Sequence, residues 1–393
     1  MWGDFILPPT DDEDYDILYK RAPKEIRDEL EKLKKKWEKE FFPDKETLIK
    51  TDLETNEKHH ELMKLCAKAF LDTPLSINSE YEFYFPEPLI DLNADFSVNK
   101  IFDLLLYNAK ENRTILIECK SSVGQHPKFF SQIKGAKEFL EKKIDHLSEI
   151  IGFSLDAQKI EYVLCIYSRD KDRVIGTINS QSNKKGKNSD NDDLFKLWYF
   201  MPKNQELRLY DGHVHQNKIL TGSLKKGFSF NDYRNQLELP FYFNMHNFKV
   251  INNIILGYCY NFNRRDESIE DPKIISYDQI YETIENNSSF GLLNGDESSK
   301  SKLITQKITQ VLQYGKKYDL FDVDEKNNIK IKCYGKELKV VIANIEEKFI
   351  SNWAKTEAEE TAKKHAFSDF KLKFSKNCPT LDSFSLTNKK SSE

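Results

Sequence analysis

Residues 101–122 read IFDLLLYNAKENRTILIECKSS, and the reading of this stretch decides the fold class. Two apolar runs flank a polar turn, the pattern of a β-hairpin. Side chains alternate along a strand, so Glu118 and Lys120 share one face near its end while Cys119 points to the other. Ile115, Leu116 and Ile117, just before them, make the β-branched, apolar run of a buried strand. Asp103 stands at the mouth of the first run and is followed by Leu-Leu-Leu-Tyr. An acid and a lysine on an apolar strand are costly to bury unless something compensates, and a bound divalent cation would do so.

The surrounding chain supplies an α/β frame. Positions 1–20 read as an extended acidic arm, and 23–41 as a charged helix with Ile26, Leu30, Leu33 and Trp37 on one stripe. A second helix is expected over 54–71, where Glu57 and Glu61 lie one turn apart on a shared face. EYEFYF at 80–85 alternates like a half-buried strand, and 86–100 is a connection to the hairpin. Beyond the hairpin, 127–146 predicts an amphipathic helix on Phe129, Ile133, Ala136, Leu140 and Ile144, with Gln132 near its start. Strands follow at 161–167 and 194–201, separated by 179–193, which holds only polar residues and glycine apart from the preceding periodic segment and reads as a loop. Helix, strand, hairpin, helix, strand, strand describes a mixed central sheet flanked by helices.

From about residue 228 the texture changes. Helices and short strands over 276–350 suit a small, mostly helical, winged-helix-like module, and the Ser/Lys/Asn-rich end is expected to fray. The division is an arm and charged helix over 1–50, a core over 51–225, a C-terminal module over 226–370 for substrate recognition or dimerisation, and a tail over 371–393.

At 393 residues, 39% hydrophobic and 32% charged with a formal charge of -4, the chain has the composition of a polar, soluble protein. No run approaches the about 18 apolar residues of a membrane helix. The acidic start lacks the basic and apolar segments of a secretory leader. The six cysteines are scattered without a C-x-x-C pair, so neither a zinc cluster nor a disulfide framework is expected and the cytoplasm is the expected compartment. There is no Walker loop, no G-x-G-x-x-G and no G-x-S-x-G.

The hairpin carries the chemistry. Asp103 and Glu118 can converge from paired strands to hold one or two hard cations through oxygen, with the Cys119 carbonyl as a further donor. Mg²⁺ suits such a partial cage because it keeps waters and completes its shell with phosphate; Mn²⁺ is expected to substitute. Lys120 would then orient or deprotonate the attacking water, or stabilise charge growing on phosphorus. The competing reading is a surface hairpin whose Glu118 and Lys120 form an ion pair contributing under about 1 kcal/mol. Against it stand the apolarity of ILIECK and the leucines that follow Asp103.

Asp103 with the Glu118-Cys119-Lys120 triplet resembles the restriction-endonuclease-like superfamily, the PD-(D/E)xK phosphodiesterases. The resemblance covers about residues 54–201, with one helix before the first strand and another after the triplet. Phe102 replaces the proline that names the motif. The helix acid, which in many members ligates metal or water, is Glu57 or Glu61. Gln132 resembles the glutamine that the RecB-like branch carries in the helix after its lysine. The resemblance implies a restriction-endonuclease-like core and a Mg²⁺-dependent endonuclease of restriction, phage defence or repair, first of all one cutting double-stranded DNA as a homodimer. It implies Asp103, Glu118 and Lys120 as catalytic residues with Glu57 and Gln132 as accessories, and Asp103, Glu118, Cys119 and Glu57 as metal ligands. A nucleic-acid-binding regulator on the same scaffold, or a nuclease of RNA or branched DNA, are the alternatives.

Two histidine pairs complete the candidates. His213 and His215 are spaced like metal ligands, but with no third ligand nearby a solvent-facing hairpin is the expected reading. His59 and His60 precede the apolar stripe of their helix, where an exposed pair, or support of the carboxylates from behind, is expected.

Overall fold

The computed structural model describes residues 14–71, 77, 79–87, 89–92, 98–100, 102–124, 129–185, 194–230, 239–263, 273–288, 297–331 and 338–377. Helix α1 (Tyr15–Arg21) opens on Asp14, whose Oδ1 accepts the Ile17 N–H at 2.9 Å. The second half of the expected arm is therefore helical; positions 1–13 of that arm lie outside the described residues.

Where two helices are expected over 23–71, the structure has one: α2 (Lys24–Lys68), 45 residues long with Pro43 inside it. It crosses position 50. A proline removes one ladder bond and normally kinks or ends a helix. Here a long partner packs along the half before it, while the half after it is buried against the sheet through Leu62 and Leu65. Helix α9 (Leu338–Asn377) runs antiparallel to α2, with Lys373 on Glu29 at 2.6 Å, the Trp37 indole N–H on Asp369 at 3.0 Å and Lys34 on Glu359 at 3.2 Å. Ala354, Ala358, Ala362 and Ala366 recur every fourth residue, so they form one ridge, and none is more than 1% exposed. Small side chains along a ridge let two backbones approach closely. Ala362→Leu is expected to overpack this seam and cost about 1–3 kcal/mol, read from the urea midpoint. The frayed end expected from 371 is helical to Asn377; 378–393 lie outside the described residues.

The chain then lays down β1 (Glu82–Pro86), a separate hairpin of β2 (Leu89–Leu92) and β3 (Val98–Lys100), and the central hairpin β4 (Leu104–Asn108) and β5 (Arg113–Lys120). Helix α3 (Phe129–Ile151) leads to β6 (Ile160–Tyr167), and α4 (Lys171–Lys185) to β7 (Lys196–Met201). β8 (Glu206–Leu209), α5 (Lys218–Lys226) and β9 (Phe228–Ser229) close this half. The seven strands are ordered β1-β4-β5-β6-β7-β8-β9; β5, β6 and β7 run parallel and the outer pairs antiparallel. All eight residues of β6 are buried, as a parallel strand covered on both faces requires. Leu104, Ile117, Cys165 and Trp198 face Leu62 and Leu65 of α2, whereas Leu105, Leu116, Leu164 and Leu197 face Ile133 and Leu140 of α3 and Val174 of α4. The expected loop over 179–193 is helix as far as Lys185, because Val174 anchors α4 to the sheet; 186–193 lie outside the described residues.

The C-terminal half comprises α6 (Asn247–Asn263), β10 (Lys273–Ile275), α7 (Tyr277–Asn287), α8 (Glu297–Lys317), β11 (Asp322–Val323) and β12 (Ile329–Ile331), followed by α9. Its strands form an antiparallel sheet in the order β10-β12-β11. One apolar cluster runs from the α2 face of the large sheet through Tyr242, Phe248 and Ile254 into Ile304 and Ile308 of α8. Lys307 is buried in that contact, and its ammonium donates to the carbonyls of Phe243 and Met245 at 2.9 and 2.7 Å and to Asn247 Oδ1 at 3.0 Å. Burial pushes its pKa down to about 8, with Glu87 opposing. Lys307→Met leaves those buried acceptors without their donor and is expected to cost about 1–3 kcal/mol by urea unfolding.

Candidate active site

The hairpin ends by splaying. Leu104 pairs with Ile117 as the last register position of β4 and β5, and one residue earlier the Asp103 N–H still reaches the Ile117 carbonyl at 2.9 Å. There the backbone turns away, and the Asp103 side chain takes over: its Oδ2 accepts the Cys119 N–H at 2.7 Å. The Asp103 carbonyl in turn accepts the Glu87 N–H at 2.8 Å. Asp103 is wholly buried, and its Oδ1 lies 3.5 Å from Nε2 of His59 on α2. The carboxylate is therefore oriented from two sides.

Glu118 and Lys120 share a face, as strand alternation demands, and Lys120 Nζ lies 2.6 Å from Glu118 Oε1. Glu118 is 8% exposed and the Lys120 side chain 29%, so the pair sits at the border between core and solvent. Cys119 points the other way into a knot of three buried cysteines, where Cys66 and Cys165 have their sulfurs 3.4 Å apart. Burial pushes the Cys119 and Cys165 thiols up, which keeps them protonated and unreactive. Only the backbone carbonyl of Cys119 is thus suited to a hard cation.

The two helix acids part company. Glu57 is exposed and lines a cavity of about 390 Å³ together with His59 and His60. Glu61 instead accepts the Tyr167 hydroxyl at 2.9 Å beside a second cavity of about 240 Å³ that Lys58 and Arg169 also line. Gln132 is exposed on the first turns of α3. His60 is 3% exposed, with its Nδ1 3.2 Å from the Tyr242 hydroxyl, so the expected exposed pair is a buried and a half-buried histidine with separate partners.

Reading the sequence missed the arginines behind the triplet. Arg169 donates to the Ser121 carbonyl at 2.8 Å, and Arg173 donates to the Val123 carbonyl. Asp170, 5% exposed, lies 3.4 Å from Arg173. Arg169 and Asp170 form the turn that leads from β6 into α4 and Arg173 lies in its first turn, and the parallel pairing of β5 with β6 brings them beneath residues 121–123. His213 and His215 do not face solvent as a pair. His213 Nδ1 accepts the Leu197 N–H at 2.8 Å, while the buried His215 sits between Glu161 at 3.2 Å and the Trp198 indole N–H at 2.8 Å. Both imidazoles are occupied by the fold.

Among the described residues, no three His, Cys, Asp or Glu side chains are gathered so as to hold a metal ion. Asp103 lies toward α2, against His59, whereas Glu118 alternates to the face opposite Cys119, so of the expected donors it is Asp103 and the Cys119 backbone that are in direct contact. All of the expected donors are oxygens, the type that suits Mg²⁺, which usually keeps several waters and takes one or two carboxylates. Among the described residues, no helix is long and apolar enough to cross a membrane.

No protein-family model matches the chain, and no solved structure matches it. An uncharacterized protein of Archaeoglobus fulgidus is 24% identical over 343 residues, spanning 83% of this chain and 89% of that protein. Similarity of that extent runs through both halves of the fold.

Proposed function

We propose that the chain is a Mg²⁺-dependent endonuclease that hydrolyses phosphodiester bonds in double-stranded DNA, of the restriction or phage-defence kind. The observation that carries this reading is the end of the central hairpin. A fully buried aspartate is seated on the N–H of Cys119, and on either side of that residue are Glu118 and Lys120, ion-paired, on otherwise apolar strands. The order α2, β1-β4-β5, α3, β6 supports a restriction-endonuclease-like core, and α6, β10, α7, α8 and the β11–β12 hairpin suit a winged-helix-like module.

Asp103 and Glu118 would hold the cation through carboxylate oxygens, with the Cys119 carbonyl and Glu57 as further donors. When bound, it supplies charge for the phosphate oxygens and acidity to a coordinated water. Lys120 would orient the attacking water and stabilise the charge growing on the phosphate through its ammonium. Arg169 and Arg173 hold residues 121–123 in place, and so fix where the end of β5 meets a phosphate. Because cutting both strands takes two such sites, the working form is proposed to be a homodimer.

Duplex plasmid DNA incubated with Mg²⁺, and separately with Mn²⁺, should be nicked or cut by the intact protein and left whole by Asp103→Asn and Glu118→Ala. Equal products from all three proteins would refute the reading. Mg²⁺-insensitive binding without product would favour a regulator on the same scaffold.

A further inference from the structure

The cavity of about 390 Å³ beside Asp103 has a shape and lining of which the phosphodiesterase reading uses only Glu57. It lies between α2 and the segment leading into α6. His59 on its wall is the residue 3.5 Å from Asp103. Glu87 ties the opposite wall to the same corner: its N–H donates to the Asp103 carbonyl, and its carboxylate accepts the Asn244 N–H at 3.0 Å. Glu87 is 2% exposed and has a φ of 46°, in the left-handed region that a residue with a Cβ adopts at a cost. Such a conformation persists only where its surroundings over-determine it, and these cluster at ligand-binding corners.

We propose that this cavity is a subsite for one unpaired nucleobase of the DNA strand held at Asp103. It rests on the nuclease reading only for the presence of that strand. The volume falls in the ~300–1,000 Å³ range of ligand pockets and cannot admit a duplex, whose major groove alone is ~12 Å wide. Its aromatic wall is the near-parallel pair of His60 and Tyr242, with ring centroids 6.0 Å apart and planes 18° apart, and Phe248. Its polar groups include the amides of Asn56, Asn244 and Asn252, the side-chain type that pairs with the edges of bases. Three carboxylates, Glu57, Glu87 and Glu346, line it against one lysine, Lys249, so the acidic excess disfavours phosphates inside and the neutral base is the part that enters. An extruded base read by stacking and by hydrogen bonds to its edge is the chemistry these groups share.

The test is fluorescence anisotropy in Ca²⁺, which occupies an oxygen site while keeping the DNA uncut. The probes are a labelled 20-base-pair duplex and the same duplex with a central three-base bubble. The intact protein is expected to bind the bubble at least about fivefold tighter, the lower end both of amide pairing to a base edge and of base–aromatic stacking. Asn56→Leu with Asn252→Leu, two half-buried positions on helices, should bring the two affinities to within about twofold. Equal affinities in the intact protein, or a bubble preference that survives the double variant, would overturn the proposal. Cleavage by the same preparation in Mg²⁺ judges the nuclease reading separately, since a bubble preference without cleavage leaves the subsite standing.

Discussion

Lys120→Met is expected to lower Mg²⁺-dependent DNA cleavage by about 10²- to 10³-fold, the usual cost of removing one donor aimed at developing charge. Its ammonium lies 2.6 Å from Glu118, the proposed ligand, so removing it takes away a competitor for the cation. Mg²⁺ affinity measured by calorimetry should therefore hold or tighten while the rate falls. That split is the mark of a group acting on the reaction rather than on assembly of the site. Lys120→Arg separates charge from geometry, because guanidinium keeps the charge beside Glu118 but presents it as a planar fork instead of a compact ammonium. Arginine should preserve the folded protein and fail to restore the rate. Cleavage by the methionine variant within about twofold of the intact protein would remove Lys120 from the mechanism.

The largest stability effect is expected at His215→Leu, about 3–5 kcal/mol by urea denaturation, because it breaks the hydrogen-bond network around a buried carboxylate and leaves that charge uncompensated. Glu161 is 7% exposed, and its carboxylate has the His215 ring at 3.2 Å and the Gln216 N–H at 3.2 Å. On the other side of the ring, Nε2 accepts the Trp198 indole N–H at 2.8 Å. Leucine strands both the carboxylate and the indole donor in the core. The double variant Glu161→Leu with His215→Leu removes the charge as well, and replacing a buried pair with apolar groups is often close to neutral. It should be more stable than His215→Leu alone. A single variant within about 1 kcal/mol of the parent would show that the network is not a structural tie.

Much of the candidate site is visible in the bare sequence. A strand period of two puts Glu118 and Lys120 on one face, and ILIE is too apolar for anything but a covered strand. Both follow from local chain geometry, and the structure repeats them. Local rules also separate α3, β6 and β7, whose stripes and apolar runs are strong. They fail where a distant partner decides. The stripes read as two helices, 23–41 and 54–71, yet α2 runs straight through Pro43 with α9, which begins about three hundred residues later, packed along it. The alanines of α9 give no amphipathic signal, because a ridge of small residues is identified only by the helix it touches. His215 looks solvent-facing beside polar neighbours, until Glu161 and Trp198 close around it.

By itself the sequence determined the strand–turn–strand unit at 101–122, the shared face of its glutamate and lysine, and the alternation of helices and strands that yields a mixed sheet. These depend on backbone periodicity and on burial of apolar residues close in the chain. Only the tertiary structure decided that Asp103 turns its carboxylate onto the Cys119 N–H, that Glu57 lines the cavity near Asp103 while Glu61 is bound to Tyr167, and that Glu87 joins Asp103 to the wall of that cavity. Those contacts depend on how separate elements pack, and no spacing along the chain encodes that directly.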